Sequence, residues 1–166
     1  MVYIPGIATS IIYADKDDAS TELPVPDVDS ITAFVKEKFI PALLVFTTDR
    51  DTERLARCIT ETINTKYAGW FNNPDGTAQG NSGTRLVLPS KSEIKAGATI
   101  RFDYDWRGNP VEIAAQLNDY IEYVKKVSGF EKVALVPHSL GNVIALSYLS
   151  EYGYDDIQGI VFDTPA

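Results

Sequence analysis

The sequence predicts an α/β fold with a mostly parallel sheet, helices on both faces of that sheet, and a helical or looped insertion. Short apolar runs at residues 99–104, 132–136 and 159–163 are typical of buried strands. Between them, apolar residues recur at helical spacing, first between Asn109 and Gly129 and then over residues 140–151. Strands that alternate with helices in this way form parallel sheets with crossover connections.

The first of these helices has clear start and stop signals. Asn109 stands at the N-cap position, Pro110 in the first turn and Glu112 at the capping-box position. Gly129 follows the last apolar residue and is the expected C-terminal stop.

The 166 residues suit a single domain, residues 1–166, that begins with a short strand at Val2–Ile4. Residues 13–96 are predicted to form an insertion or lid-like segment between core strands. A helix that Pro41 interrupts and a second helix from residue 52 are expected there, followed by a long glycine-rich loop.

Composition excludes several functions. The formal net charge is −8 and the pI is near 4.6, so nucleic acid and anionic lipid surfaces would be repelled. No apolar run is long enough to span a bilayer, and no signal peptide is visible, which leaves the compartment open. The sequence contains no metal-ligand cluster and no phosphate-binding glycine loop, so no cofactor or metal is expected.

The run Pro137–Gly141 (PHSLG) joins a predicted strand to a predicted helix. A serine at such a sharp turn is typical of the nucleophile elbow of α/β hydrolases, and the pattern predicts a partial fold of that kind. Ser139 is the candidate nucleophile, and the Leu140 N–H at the helix start would bind a developing oxyanion. The alternative is a serine that merely caps the helix.

The general base is missing from this pattern. The only histidine is His138, and consecutive side chains leaving a strand point to opposite sides, so His138 and Ser139 should diverge. The triad order in this fold is nucleophile, acid, histidine, and no histidine follows Ser139. We therefore expect an N-terminal portion of an enzyme, inactive alone. Asp163 could be an early triad acid, although that position is more often structural.

Other stretches resemble the lecithin:cholesterol acyltransferase family of α/β hydrolases. The run Tyr104–Arg107 (YDWR), followed by an amphipathic helix and then residues 132–141, is similar to that family and is more specific than the serine turn alone. Ile4–Ser10 looks like the family's oxyanion loop, and Val161–Pro165 looks like the strand after the nucleophile helix. The matches cover residues 1–12 and 97–166.

The resemblance implies transfer of a fatty-acyl group from a lipid ester to water or to a lipid alcohol through an acyl-Ser139 intermediate. It also implies that the oxyanion is bound by the N–H groups of Leu140 and of Ile7 or Ala8. The triad acid and base would then lie beyond residue 166.

The YDWR run has a structural interpretation. Asp105 and Arg107 are expected to form an ion pair that fixes the loop under the site, with Trp106 packed between elements. The sequence departs from the family pattern at Pro137, where glycine is usual, and at Asn142, which replaces a common second glycine.

Two other functions stay open. One is a non-catalytic binding module that kept a hydrolase scaffold, which Pro137 and the missing base would suit. The other is a peptidase or thioesterase on the same fold. If the chain is truncated, a sheet that ends at the strand 159–163 exposes an unpaired edge, which predicts self-association.

Overall fold

A computed structural model describes residues 1–24 and 28–165. The chain divides into two compact units, one made of Met1–Glu22 with Asn72–Ala166 and the other of Leu23–Phe71. The strands are β1 (Val2–Ile4), β2 (Ile100–Arg101), β3 (Val133–Ser139), β4 (Ile157–Ile160) and β5 (Asp163–Pro165). The α-helices are α1 (Val28–Phe34), α2 (Ile40–Asp49), α3 (Thr52–Tyr67), α4 (Pro110–Ser128) and α5 (Leu140–Tyr152).

The larger unit is built on a parallel sheet with the strand order β2-β1-β3-β4, and β5 pairs with the end of β3. Val2 of β1 lies in register with Ile100 of β2 on one side and with Leu135 of β3 on the other. The predicted α/β class with a parallel sheet and helices packed around it is therefore confirmed. Since all strands run the same way, the carboxyl ends of β1 and β3 lie at the same edge of the sheet.

The core lies between the sheet and the helix pair α4 and α5, which pack against each other. Along β3, Val133, Leu135 and Pro137 are buried while the residues between them are only half-buried. Val133 and Leu135 belong to one core cluster with Leu117 and Ile121 of α4, which are fully buried. Burying each such side chain contributes about 1.5–3 kcal/mol, so this layer holds the ends of β1 and β3 in place.

The boundaries of α4 follow its local signals. The Asn109 side chain accepts a hydrogen bond from the Val111 N–H at 2.9 Å, and Pro110 occupies the first turn. Gly129 ends the helix at φ +77°, and its N–H donates to the Lys125 carbonyl. A left-handed backbone at this place suits glycine.

Two predicted strands differ from the structure. Residues 99–104 pair only at Ile100–Arg101, and the run predicted at 159–163 is divided between β4 and β5. Val161 and Phe162 lie outside both strands, and their side chains are exposed. The ladder between β3 and β4 carries a register shift at Val133, and this long-range irregularity has no local sequence signal.

The Leu23–Phe71 unit lies within the segment that the sequence predicts as an insertion. A π-helical turn, Val35–Phe39, separates α1 from α2. Pro41 stands in the first turn of α2, and Phe39 before it is also right-handed helical, so the helical path continues from α1 through this turn into α2 and is not interrupted at Pro41. The Asp51 side chain caps α3 by accepting from the Arg54 N–H at 2.9 Å. None of the helices in the described residues is both long and apolar enough to cross a membrane.

Candidate active site

Ser139 occupies the junction between β3 and α5. It is the last residue of the strand and the N-cap of the helix, at φ +49° and ψ −119°. A positive φ is strained for a residue with a side chain, and such strain concentrates at functional sites. The Ser139 hydroxyl does not cap α5, and it makes no hydrogen bond within residues 1–24 and 28–165. The turn therefore presents a half-buried, uncommitted hydroxyl at the carboxyl end of β3.

The end of β1 packs directly against this turn. A Cβ atom added to Gly6 would lie 2.9 Å from the Ser139 Cβ. A Cβ atom added to Gly141 would lie 2.2 Å from the Ile4 carbonyl oxygen. Only glycine fits at Gly141, because the obstacle there is backbone. This contact places the loop after β1, here called the β1 loop, beside the start of α5.

The predicted oxyanion donors belong to the two segments that meet at this contact, the start of α5 and the loop after β1. Leu140 is the first residue of α5, so its N–H belongs to the first turn and has no intrahelical acceptor. Ile7 is 58% exposed and follows Gly6 directly. Ala8, two residues after Gly6, has φ +58° and is a second non-glycine residue with a strained backbone.

Two hydrogen bonds hold the loop after β1. The Tyr104 hydroxyl donates to the Pro5 carbonyl at 2.6 Å, and the Thr9 hydroxyl donates to the Gly6 carbonyl at 2.6 Å. Tyr104 is 1% exposed and stacks on Phe102 with ring centroids 5.7 Å apart. Burial raises the pKa of the Tyr104 phenol well above its usual value, so it stays a neutral donor.

The single histidine pairs with Asp163, although its ring lies close to the serine turn: a Cβ atom added to Gly6 would be 3.3 Å from His138 Cδ2 and 2.9 Å from the Ser139 Cβ. His138 Nδ1 lies 2.9 Å from Asp163 Oδ2, and within the described residues no hydrogen bond joins the imidazole to the Ser139 hydroxyl. The hydrogen bond from His138 holds the pKa of the Asp163 carboxyl below its usual value, and a bond from Thr164 adds to this. The Asp163 carboxylate thus already has partners, and its role as a triad acid stays a prediction.

Asn142, which departs from the family pattern, has a structural role that its sequence position did not predict. It is 3% exposed, and its Nδ2 donates to the Ser139 carbonyl at 2.8 Å and to the Asp163 carbonyl at 3.1 Å. Its side chain therefore ties the serine turn to β5. In the sequence, the signal of this role is an asparagine that directly follows the run Pro137–Gly141 at the start of an otherwise apolar helix.

The YDWR run forms a rigid ion pair away from the serine. Arg107 binds the Asp105 carboxylate with both Nε (2.8 Å) and Nη2 (2.7 Å), and the Arg107 side chain is only 5% exposed. Trp106 is half-buried and packs against the core. Through the neighbouring Tyr104, whose hydroxyl binds the Pro5 carbonyl, these residues are connected to the loop after β1, and their structural role beneath the site stays a prediction.

A polar cavity of about 740 Å³ lies beside this ion pair, with Tyr104 in its wall. Its lining is rich in carboxylate, amide and hydroxyl groups. Within residues 1–24 and 28–165, no group of three or more His, Cys, Asp or Glu side chains is arranged to hold a metal ion.

Comparison with known proteins adds one finding. Residues 92–158 match the family model described as Lecithin:cholesterol acyltransferase. The matched segment includes the YDWR run, α4, β3, the serine turn and α5. Neither the curated proteins nor the solved structures gave a significant match. The resemblance predicted from the sequence is thus confirmed for the part of the chain that carries Ser139, which is similar to a family of lipid acyltransferases.

Proposed function

We propose that this chain carries the nucleophile of a serine-dependent acyl-ester hydrolase or O-acyltransferase that acts on a lipid ester. The observation that carries the proposal is Ser139 itself. Its backbone is strained, its hydroxyl is uncommitted, and the segment around it matches a lipid acyltransferase family. A serine held only for helix capping would use its side chain as the cap, and Ser139 does not.

The chemistry follows from this arrangement. The Ser139 Oγ attacks the carbonyl carbon of the ester while a base takes its proton, and the carbonyl oxygen becomes an oxyanion. The N–H groups of Leu140 and of Ile7 or Ala8 are the proposed donors to that oxyanion. Collapse breaks the ester bond, the leaving alkoxide takes up the proton, and an acyl-Ser139 ester remains. Water or a lipid alcohol then attacks this ester and frees the serine.

The base is proposed to come from outside residues 1–166. Within residues 1–24 and 28–165, no hydrogen bond joins the one imidazole of the sequence to the Ser139 hydroxyl, and its Nδ1 binds Asp163. The Nδ1 bond alone does not exclude a base, because a triad histidine binds its acid in the same way, so the proposal depends on the missing contact with Ser139. Without a base, a serine hydroxyl is a weak nucleophile. For scale, loss of the triad histidine of subtilisin costs about a millionfold in turnover. We therefore expect residues 1–166 alone to be almost inert.

A fluorophosphonate probe with and without added imidazole tests both parts of the proposal. We expect Ser139 to be modified no faster than the exposed Ser150 in plain buffer. Millimolar imidazole should accelerate modification of Ser139 selectively, because it supplies the absent proton acceptor next to preset oxyanion donors. Peptide mass spectrometry measures both sites, and Ser139→Ala is the control. Rapid labelling of Ser139 without imidazole would refute the claim that the base is missing. Equal acceleration at Ser139 and Ser150 would refute the claim that Ser139 is the nucleophile.

One observation favours a second function, a non-catalytic binding module. The His138–Asp163 pair and the Asn142 contacts fix β5 against the serine turn without any role for the hydroxyl. On that hypothesis Ser139→Ala leaves all ligand binding unchanged and imidazole produces no selective labelling. Measured hydrolysis of an acyl ester that depends on Ser139 would eliminate it.

A further inference from the structure

A second cavity lies at the edge of the sheet opposite Ser139. Its volume is about 490 Å³, and its lining includes Val2 and Val133, the first residues of β1 and β3. Ser139 stands at the other end of β3, six residues on, which is about 20 Å along an extended strand. The cavity is therefore distinct from the candidate active site.

The inner walls of this cavity are apolar. Ile94, Ile100 and Val124 contribute buried side chains, and the ring of Phe130 is 42% exposed at its side. Small residues at positions 96–98 and at Ala134 leave the space open. A concave apolar space of this size is within the usual range for small-ligand sites.

The charged groups of the lining are at its exposed positions. Lys95 and Lys132 contribute two ammonium groups, and Glu131 contributes one carboxylate. Within residues 1–24 and 28–165, neither lysine pairs with a carboxylate. The remaining long polar side chain is Gln158. The cavity thus carries a local net positive charge on a chain whose total charge is −8.

We propose that this cavity binds a long-chain carboxylate, with the alkyl chain against the apolar walls and the carboxylate near Lys95 and Lys132. The apolar walls require an apolar ligand body, since they offer few hydrogen-bond partners. The cationic groups select an anionic end over a neutral or cationic one. The negative charge elsewhere on the molecule repels an anionic ligand. The positive charge at the cavity therefore favours binding of an anionic ligand at this place.

Titration calorimetry below the critical micelle concentration tests the proposal with three ligands of equal chain length. Dodecanoate should bind at least tenfold more tightly than dodecyltrimethylammonium, and dodecanol should be intermediate. The Ser139→Ala protein should give the same values, because the active site is at the other edge of the sheet. Equal affinities, the reverse order, or no binding of dodecanoate would overturn the proposal. Loss of binding in Ser139→Ala would also overturn it, by moving the ligand to the active site.

Charge variants locate the carboxylate. Lys132→Gln should weaken dodecanoate binding about fivefold or more, and Glu131→Gln should strengthen it, whereas dodecanol should respond to neither. Lys126→Gln is the matched control, because Lys126 is an exposed lysine of α4 that does not line the cavity. These surface substitutions leave the core intact, so they remain informative if the cavity-filling Ala98→Phe fails to fold. Where Ala98→Phe folds, it should abolish binding. Equal effects of Lys132→Gln and Lys126→Gln would contradict the proposed site.

Discussion

Gly141 lies so close to Ile4 that a single methyl group cannot be placed between them. A Cβ atom on Gly141 would come within 2.2 Å of the Ile4 carbonyl oxygen and within 3.0 Å of the Pro5 carbonyl oxygen. Because both obstacles are backbone, neither can rotate away. The approach of β1 to α5 therefore depends on glycine at this position.

Gly141→Ala should destabilise the fold by at least about 2 kcal/mol, because overpacking against backbone forces the helix or the strand to move. Urea unfolding followed by circular dichroism measures the loss. Gly159→Ala is the control, since a Cβ atom there has no neighbour within 4 Å and its φ is not positive. Equal stability of the Gly141→Ala and wild-type proteins would show that β1 and α5 are not packed as described.

Ser139→Gly should be more stable than Ser139→Ala by about 1 kcal/mol. Both variants lack the hydroxyl, so the difference reports the backbone strain at φ +49°. The strain of about 1–3 kcal/mol is partly offset by the greater entropy of glycine in the unfolded chain. Parallel urea titrations of the two variants measure the difference. If the Ser139→Ala protein proved more stable than the Ser139→Gly protein, the claim of backbone strain at residue 139 would be contradicted.

The sequence predicted elements whose signals are local. The cap of α4 at Asn109 and its stop at Gly129 depend on residues within one helical turn, and both are confirmed. The match of residues 92–158 to a family model confirms the resemblance over the serine turn. The division of the predicted 159–163 strand was not predictable, because β5 pairs with β3 across a register shift at His138.

The contacts around Ser139 were also beyond the sequence. His138 and Asp163 are 25 residues apart, and Asn142 and Asp163 are 21 apart. Side-chain pairing over such separations depends on where the strands pack. Strand alternation predicts that the side chains of His138 and Ser139 diverge, but no local signal identifies Asp163 as the partner of the imidazole.

Asn142→Asp tests the tie between the serine turn and β5. The Asn142 amide donates to two carbonyl oxygens, so an ionised carboxylate at this buried site would face two acceptors. We expect a loss of about 3 kcal/mol at pH 7, compared with about 1–2 kcal/mol for Asn142→Ala.

Burial raises the pKa of the introduced acid, so the penalty should shrink as the pH falls and the acid becomes neutral. Unfolding at pH 7 and at pH 4.5 measures this change, relative to the wild type at each pH. Asn118→Asp on α4 is the control. A penalty that is the same at both pH values would contradict the two acceptor contacts.

The Asp105–Arg107 ion pair should behave as one buried unit. Removal of one partner leaves the other uncompensated, so Arg107→Met and Asp105→Asn should each cost about 3 kcal/mol, and the double variant should cost less than the sum. The exposed pair Glu53–Arg57 is the matched control, with an expected coupling below about 0.5 kcal/mol. A double-mutant cycle by chemical denaturation measures both couplings. Strict additivity at Asp105 and Arg107 would show that the pair contributes nothing as a unit.

Alkaline pH should unfold the protein through its buried tyrosines. Burial raises the pKa of the Tyr148 phenol to about 12, and it raises the pKa values of Tyr104 and Tyr120 further. An unfolded tyrosine ionises near pH 10, so between pH 10 and 12 only the unfolded chain loses these protons. Stability is therefore unaffected by this ionisation below pH 10 and falls as the pH rises above it.

Tyrosine-to-phenylalanine variants separate burial from hydrogen bonding. Tyr148 has a buried hydroxyl without a hydrogen-bond partner in the described residues, whereas the Tyr104 hydroxyl binds the Pro5 carbonyl. Tyr148→Phe should thus leave stability at pH 7 unchanged or raised and should move alkaline unfolding to higher pH. Tyr104→Phe should lose about 1–2 kcal/mol at pH 7, because the Pro5 carbonyl loses its donor. Circular dichroism and the tyrosinate absorbance at 295 nm follow unfolding and ionisation together. If the two variants were equally stable at pH 7, the Tyr104 bond would not hold the β1 loop beside Ser139.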